Sequence, residues 1–395
     1  MNFNVTCFRF LFNNLYCNAL KNIKKIAILR ANALGDFLVT LPAIQAIRST
    51  YPDAEIVLLG KPWHKDFLIS GRSPIDRVIV VPVMNGIRTE KNETEDRAQQ
   101  EMFFEEMQKE HFDIAIHFHG NGISSNPFIN RLNARLTVGL TTENAASLDR
   151  SIEFYYYQSE VLRYLEVAAL IDAKTDDLDG HINILDHDKE EIKGLLSFLD
   201  KKPFVVLHPF VEDIRRTWPI ENYIPLADWL KEKNIEVVFT GSTEEYEGVE
   251  GIISAMKTKA INTCGTLSLG GLAAVLRNAS LVIAADTGPL HLARAVGTPT
   301  AGIYWAPNLI NWGPLSRHLH KPVISWNMAC PFCGIIPNQP YPFQPQTECT
   351  HNISFVRDIT VEAVMEAAES LLFKKEIAEE SANILYVKIV TGFLQ

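Results

Sequence analysis

The chain has 395 residues, 47% of them hydrophobic and 21% charged, with a formal net charge of −10. That length accommodates two domains with a core each, and the composition excludes a disordered chain. The acidity, with no dense basic tract, argues against a nucleic-acid partner, and no apolar run reaches the ~18 to 20 residues that span a bilayer.

Residues 1–22 read as an N-terminal extension. Phe8, Leu11, Phe12 and Leu15 share one helical face, with Arg9 the only charge before Lys21. A helix lying in a membrane surface, a disordered extension and a mis-assigned start all fit that pattern. From Lys25 the chain alternates strands and helices: strands at Lys25–Leu29, Glu55–Leu59, Arg77–Val81 and Asp113–Phe118, with a helix over Pro42–Thr50. A polar loop from Asn85 to Gln100 leads to a helix ending near Lys109. This βαβ rhythm predicts a parallel sheet wrapped by helices over 23–185. Asp172 to Asp188 has the acidic composition of a linker. A second series over 200–355 starts with the strand Phe204–Leu207 and a helix over Tyr223–Lys233. Strands at Glu236–Phe239, Ser280–Ala285 and Pro299–Tyr304 complete it. The fold class is α/β, two doubly wound halves facing across a cleft, with ligands at the carboxyl ends of the strands.

Those strand ends carry the candidate chemistry. After the strand Ser280–Ala285 comes Asp286-Thr287-Gly288-Pro289-Leu290-His291, then a helix-prone run stopped by Gly297 and Pro299. Pro289 is tolerated in a first helical turn, where its missing N–H would be unpaired anyway. A strand, a tight turn and a helix start make an anion site, through free amides and the positive end of the helix dipole. Helix capping by Asp286 or Thr287 is the plainer reading, but it leaves Gly288 and His291 unexplained. After the first strand, Gly35 permits a close turn and Asp36 sits at the start of a helix. No G-x-G-x-x-G follows that strand, which removes a dinucleotide site. Arg215 and Arg216 suit a diphosphate, one of the two being ordinary solvated charge. Gly241, Ser242 and Glu244 form another glycine turn, with a carboxylate to accept from ribose hydroxyls.

In order, these motifs resemble glycosyltransferase family 9, which includes the heptosyltransferases of lipopolysaccharide core assembly. The resemblance runs from about Lys25 to Leu372. It rests on Gly35-Asp36 with Thr40-Leu41-Pro42-Ala43, on Arg216-Thr217-Trp218-Pro219, and on Asp286-Thr287-Gly288 with His291. Gly297-Thr298-Pro299, Trp312-Gly313-Pro314 and the tail Cys349 to Leu372 extend it. The family implies a GT-B fold, a nucleotide-diphospho-sugar donor (usually ADP-heptose), inversion at the anomeric carbon and no catalytic metal or other cofactor. It implies Asp36 as the base on the acceptor hydroxyl, and Arg216, Asp286, Thr287, Gly288 and His291 around the donor. It also implies a cell-envelope glycan acceptor, at the cytoplasmic face of the inner membrane. In GT-B folds the last helix tends to return to the first domain, which is the expectation for residues 356–375.

The chain departs from the family where heptosyltransferases often carry Asp-x-Gln-Gly; here it reads His117-Phe118-His119-Gly120-Asn121-Gly122. That loop lies on the acceptor side and makes His119 an acceptor candidate, beside Gly35 and Lys61. A structural histidine and solvated charge are the plain readings of His119 and Lys61. Cys330-Pro331-Phe332-Cys333 with Cys349-Thr350-His351 offers four ligands suited to structural zinc. The C-x-H spacing is unusual, and buried thiols or a redox pair are preferred on sequence alone. The tail, 376–395, ends in an apolar run at 384–390 with no assigned place. A nucleotide-sugar epimerase or hydrolase on the same scaffold is the alternative activity. An inactive relative that binds a glycan or partner is disfavoured by retention of Asp36 and the donor loop.

Overall fold

The computed structural model describes residues 20, 22–90, 93–336 and 349–373. The expectations for residues 1–19 and for the tail at 376–395 lie outside them. The chain divides into two compact units, one ending at Asn183 and the next beginning at Ile184.

The first unit holds a six-stranded sheet of β1 (Lys25–Leu29), β2 (Glu55–Gly60), β3 (Arg77–Val80), β4 (Ile114–His117), β5 (Leu136–Thr141) and β6 (Arg150–Glu153). Its strand order is β3-β2-β1-β4-β5-β6, and the pairings are parallel. β1 reads Lys-Ile-Ala-Ile-Leu, and every residue after its lysine is buried. Helices cover both faces of such a sheet, so its central strands are apolar throughout instead of alternating. Its core runs from Ala27, Leu29, Val57 and Leu59 to Phe104, Met107, Phe128 and Leu132.

The second unit repeats the design with β7 (Phe204–His208), β8 (Glu236–Phe239), β9 (Ile261–Asn262), β10 (Leu281–Ala285), β11 (Thr300–Trp305) and β12 (His320–Ser325). The order is β12-β11-β10-β7-β8-β9, again parallel. In both units the first strand has its sequence successor on one side and a later strand on the other. That arrangement makes a topological switch point, β1/β4 in one unit and β7/β10 in the other, where neighbouring chain segments leave the sheet in opposite directions.

Two sequence expectations need correction. The linker reading extends too far: Asp186–Glu191 is helical, and Asp188 is fully buried, accepting from the Leu185 N–H at 2.7 Å. The last helix, Val361–Leu372, packs on β10, β11, β12 and the helix Tyr223–Glu232, all within its own unit. Val364 and Ala368 enter the second core, and Trp218, itself buried, donates from Nε1 to the Ile359 carbonyl at 2.8 Å just before the helix. Burial of that apolar stripe holds the helix on the sheet of its own unit. Among the described residues no helix is long and apolar enough to cross a membrane.

Candidate active site

At the β7/β10 switch point the chain leaves β10 at Asp286 and enters the helix Gly288–Ala295. Asp286 is buried, and both carboxylate oxygens are engaged. Oδ1 lies 3.0 Å from His291 Nε2, and Oδ2 accepts from the Asn308 side-chain amide at 2.8 Å. Arg216 reaches across from the loop after β7, with Nη1 donating to the Asp286 carbonyl at 3.0 Å and lying 3.6 Å from Oδ2. Burial pushes the Asp286 carboxyl up, but the His291 and Asn308 hydrogen bonds and the nearby Arg216 charge win and hold it below its ordinary value. An ionised Asp286 fixes the Nε2–H tautomer of His291, leaving Nδ1 to accept from Arg294 Nη1 at 3.3 Å. Arg294 is held in turn by the Trp312 carbonyl at 3.0 Å.

Asp286 is therefore a buried scaffold. The groups it presents are the guanidinium of Arg216, whose side chain keeps 28% exposure, and the half-buried Thr287 and Gly288. The Leu290 and His291 amides both turn back to the Thr287 carbonyl, at 3.1 and 3.3 Å. The Thr287 side chain makes no capping bond and Pro289 has no N–H, so the Gly288 amide at the helix start is left for an outside acceptor. Cation, amide and helix dipole converge there on a place for negative charge. Sequence reasoning missed Asn308 and Arg294, although Ala306-Pro307-Asn308 leaves a strand end as Asp286 does.

Arg215 is engaged in a local ion pair: its Nε and Nη2 chelate Asp213 at 2.9 and 2.7 Å. In the turn after β8, Ser242 and Glu245 form a capping box, with the Ser242 N–H donating to Glu245 Oε2 at 2.7 Å. A Cβ on Gly241 would lie 2.7 Å from both Cys264 Sγ and that same Oε2, so packing explains the glycine. Glu244, not Glu245, is left exposed.

At the β1/β4 switch point of the first unit, Asp36 lies in the first turn of the short helix Leu34–Leu38. Its side chain is 32% exposed, and Oδ1 is 3.3 Å from Arg30 Nη2. Arg30 is only 3% exposed; its Nε donates to the Asp36 carbonyl at 2.9 Å and its Nη1 to the Tyr164 hydroxyl at 2.9 Å. It also bonds the Phe118 carbonyl at the end of β4 and lies 3.9 Å from Glu160. Glu160 is shared further with Tyr164 and Arg163, all three buried. Sequence reasoning missed this network, because Arg163 and Tyr164 read as ordinary helix residues and Arg30 as a loop charge.

The acceptor candidates divide. Gly35 precedes Asp36 in the same turn, and its carbonyl accepts from the Val39 N–H at 3.2 Å. His119 has both ring nitrogens committed inside the protein, Nδ1 to the Ala31 N–H at 3.4 Å and Nε2 to the Gly86 carbonyl at 3.1 Å. Burial, reinforced by Arg30, pushes it down to about 3, and burial takes His117 beneath it to about 4. Both are thus neutral structural histidines near neutral pH. Lys61 pairs with Glu90 at 3.3 Å and bonds the Thr89 carbonyl at 3.3 Å.

Two parallel six-stranded sheets, each with a charged switch point, define an α/β protein of two doubly wound units. The glycosyltransferase family 9 (heptosyltransferase) model matches residues 101–330, so the chain belongs to that family and is a glycosyltransferase. The lipopolysaccharide core heptosyltransferase OpsX of Haemophilus influenzae is 22% identical over 301 residues, covering 74% of this chain and 82% of that protein. Among solved structures, a family 9 glycosyl transferase from Veillonella parvula superposes with a TM-score of 0.70 at 20% identity, covering 90% of this chain and 99% of that one. The ADP-heptose lps heptosyltransferase II of E. coli superposes with a TM-score of 0.68 at 18% identity, covering 90% and 100%. The fold is thus the GT-B fold expected from the sequence.

Proposed function

We propose that this enzyme transfers heptose from an ADP-linked donor to a lipopolysaccharide or related cell-envelope glycan, with inversion at the anomeric carbon and no catalytic metal. The observation that carries the reading is the buried Asp286 holding Arg216 beside the uncapped start of the helix Gly288–Ala295. The names of the relatives, a core heptosyltransferase and an ADP-heptose transferase, supply the sugar, the nucleotide and the acceptor class.

Cleavage of the sugar–phosphate bond puts positive charge on the sugar and negative charge on the departing diphosphate. Arg216 and the Gly288 amide stabilise that diphosphate, doing the work a divalent cation does elsewhere. Asp36 takes the proton from the acceptor hydroxyl as that oxygen attacks the anomeric carbon from the face opposite the leaving group. Arg30 keeps the carboxylate in place. The reaction runs at the cytoplasmic face of the inner membrane, with peripheral contact to the lipid that bears the acceptor.

The test is to incubate purified enzyme, without added divalent cation, with ADP-heptose and a heptose-deficient lipopolysaccharide core. Transfer with ADP release, and a product of inverted anomeric configuration by NMR, is expected. Thermal stabilisation by UDP or GDP but not ADP would overturn the donor assignment, because a bound ligand stabilises the folded state by mass action. Free or epimerised sugar formed rapidly from donor alone would replace transfer by hydrolysis or epimerisation.

A further inference from the structure

The loop after β12 and the segment before the last helix bring together a group of side chains with no part in the sugar-transfer chemistry. One ligand atom from each of Cys330, Cys333, Cys349 and His351 lies within 4.8 Å of all the others. Cys333 Sγ is 3.6 Å from Cys349 Sγ, and Cys349 Sγ is 3.8 Å from His351 Nδ1. A tetrahedral zinc ion with Zn–S near 2.3 Å and Zn–N near 2.0 Å requires edges of about 3.5 to 3.8 Å. These two edges fall in that range, and the remaining ones lie within 4.8 Å. We propose that Cys330, Cys333, Cys349 and His351 together hold one tetrahedral, thiophilic divalent metal ion, zinc or iron(II), as a structural site of the second unit.

The surrounding backbone is shaped for the purpose. Cys330-Pro331-Phe332-Cys333-Gly334 is a tight knuckle: the Gly334 N–H donates to the Cys330 carbonyl at 2.8 Å, and the Cys330 N–H to the Ile335 carbonyl at 2.8 Å. Gly334 takes a φ of +71°, which a side chain would resist. This turn carries both cysteines of the C-x₂-C pair to one point. Phe332 stacks on His351 with ring centroids 5.1 Å apart and planes 22° from parallel, setting the imidazole's orientation. Support of that kind for a ligating histidine is what keeps a metal site rigid.

The readings preferred on sequence alone fit less well. Buried thiols do not describe the group, since Cys330 is buried but Cys333 and His351 are exposed and Cys349 is half-buried. A redox pair formed by any two of the thiols leaves the third thiol and His351 converging on the same point for no purpose. A metal ion uses all four, and it binds three thiolates and a neutral imidazole as the thiols release their protons to water.

The site also has a structural task in reach. Cys330 sits in the second core, with Cys349 packed against it. A short way along the chain, the Phe355 N–H donates to the Arg215 carbonyl at 2.8 Å, and Phe355 stacks on Trp305 with centroids 4.7 Å apart. Clamping residues 349–351 to the knuckle therefore braces the loop that ends in Arg216.

The test is elemental analysis of the full-length protein, purified under reducing conditions without chelator. One zinc or one iron per chain is expected, and which element predominates assigns the metal. Denaturing the native protein with a chromophoric chelator present counts the released metal without any variant. The double variant C333S/C349S should lose the metal and unfold at a lower temperature, while H351N should lower occupancy. A reduced native protein with no stoichiometric metal would overturn the proposal, as would retained metal in a folded C333S/C349S protein or a Cys333–Cys349 disulfide found by mass spectrometry. Metal content does not depend on which sugar the enzyme transfers, so this test and that of the donor fail independently.

Discussion

The switch points of the two units use the same pair of charges in opposite senses. In the first, a buried arginine (Arg30, 3% exposed) steadies a partly exposed carboxylate (Asp36, 32%) at 3.3 Å. In the second, a buried carboxylate (Asp286, 3%) steadies a partly exposed arginine (Arg216, 28%) at 3.6 Å. The buried member is locked by neighbours: Phe118, Tyr164 and Glu160 around Arg30, and His291 and Asn308 around Asp286. The accessible member is positioned yet free to meet a ligand. A catalytic charge fully exposed wanders, and one fully buried neither reaches substrate nor stays ionised cheaply. Half-burial on a fixed counter-ion meets both needs.

This division of labour is broken most sharply at Asp36. Asp36→Ala is expected to lower turnover by roughly 10²- to 10⁴-fold, the span for loss of a general base, with the ADP dissociation constant nearly kept. Its cost to stability should stay below about 1 kcal/mol, because the lost pair is partly solvated. Turnover near wild type would remove Asp36 from the base role. The buried member in the other unit should behave in the opposite way. Asp286→Ala strands Arg216, His291 and Asn308 and should cost about 3 to 5 kcal/mol in urea unfolding, as when one partner of a buried pair is removed. A loss under 1 kcal/mol would mean that Asp286 is not the scaffold. Arg216→Ala comes next: ADP binding should weaken by roughly 1.5 to 3 kcal/mol, as for a charge-assisted contact. An unchanged dissociation constant by calorimetry would take Arg216 off the diphosphate.

The accessible members of both pairs were legible in the sequence and the buried supports only in part. Asp36, Asp286 and His291 stand at strand ends or helix starts, where turn residues mark a place to look for chemistry, whereas Arg216 was told from Arg215 only by the family resemblance. Arg30, Glu160, Tyr164, Asn308 and Arg294 are brought in by tertiary packing, which no local pattern reports. The apolar strands β1, β2, β7, β8, β10 and β11 were readable because both faces are buried and the runs are continuous. β5, β6, β9 and β12 were missed: β6 and β12 are mostly only part-buried or exposed, β9 has two residues, and the buried β5 reads Leu-Thr-Val-Gly-Leu-Thr, with Thr137 and Gly139 breaking its apolar run. The last helix was recognised from its apolar stripe, which says that a helix packs and not which sheet receives it; its expected return to the first unit came from the family resemblance.

The pH dependence of stability sharpens the comparison in the first unit, where Arg30 lies among histidines that must stay neutral. Burial pushes His64 down to about 3, His117 to about 4 and His119 to about 3 from an ordinary value of 6.5, and Arg30 adds to each shift. Below pH 6.5 the unfolded chain takes up protons at these rings while the folded protein does not. Stability therefore falls as pH drops from about 6.5 toward 4, by up to ~1.4 kcal/mol per pH unit for each histidine. Between pH 6.5 and 5 ordinary carboxylates stay ionised, so the slope there reports histidine. His119→Gln, which keeps an amide donor for the Gly86 carbonyl, should flatten that slope by about one histidine's share in urea unfolding at stepped pH. An unchanged slope would mean that His119 titrates in the folded state as it does in water, and that its ring is not sealed between Ala31 and Gly86 beside Arg30.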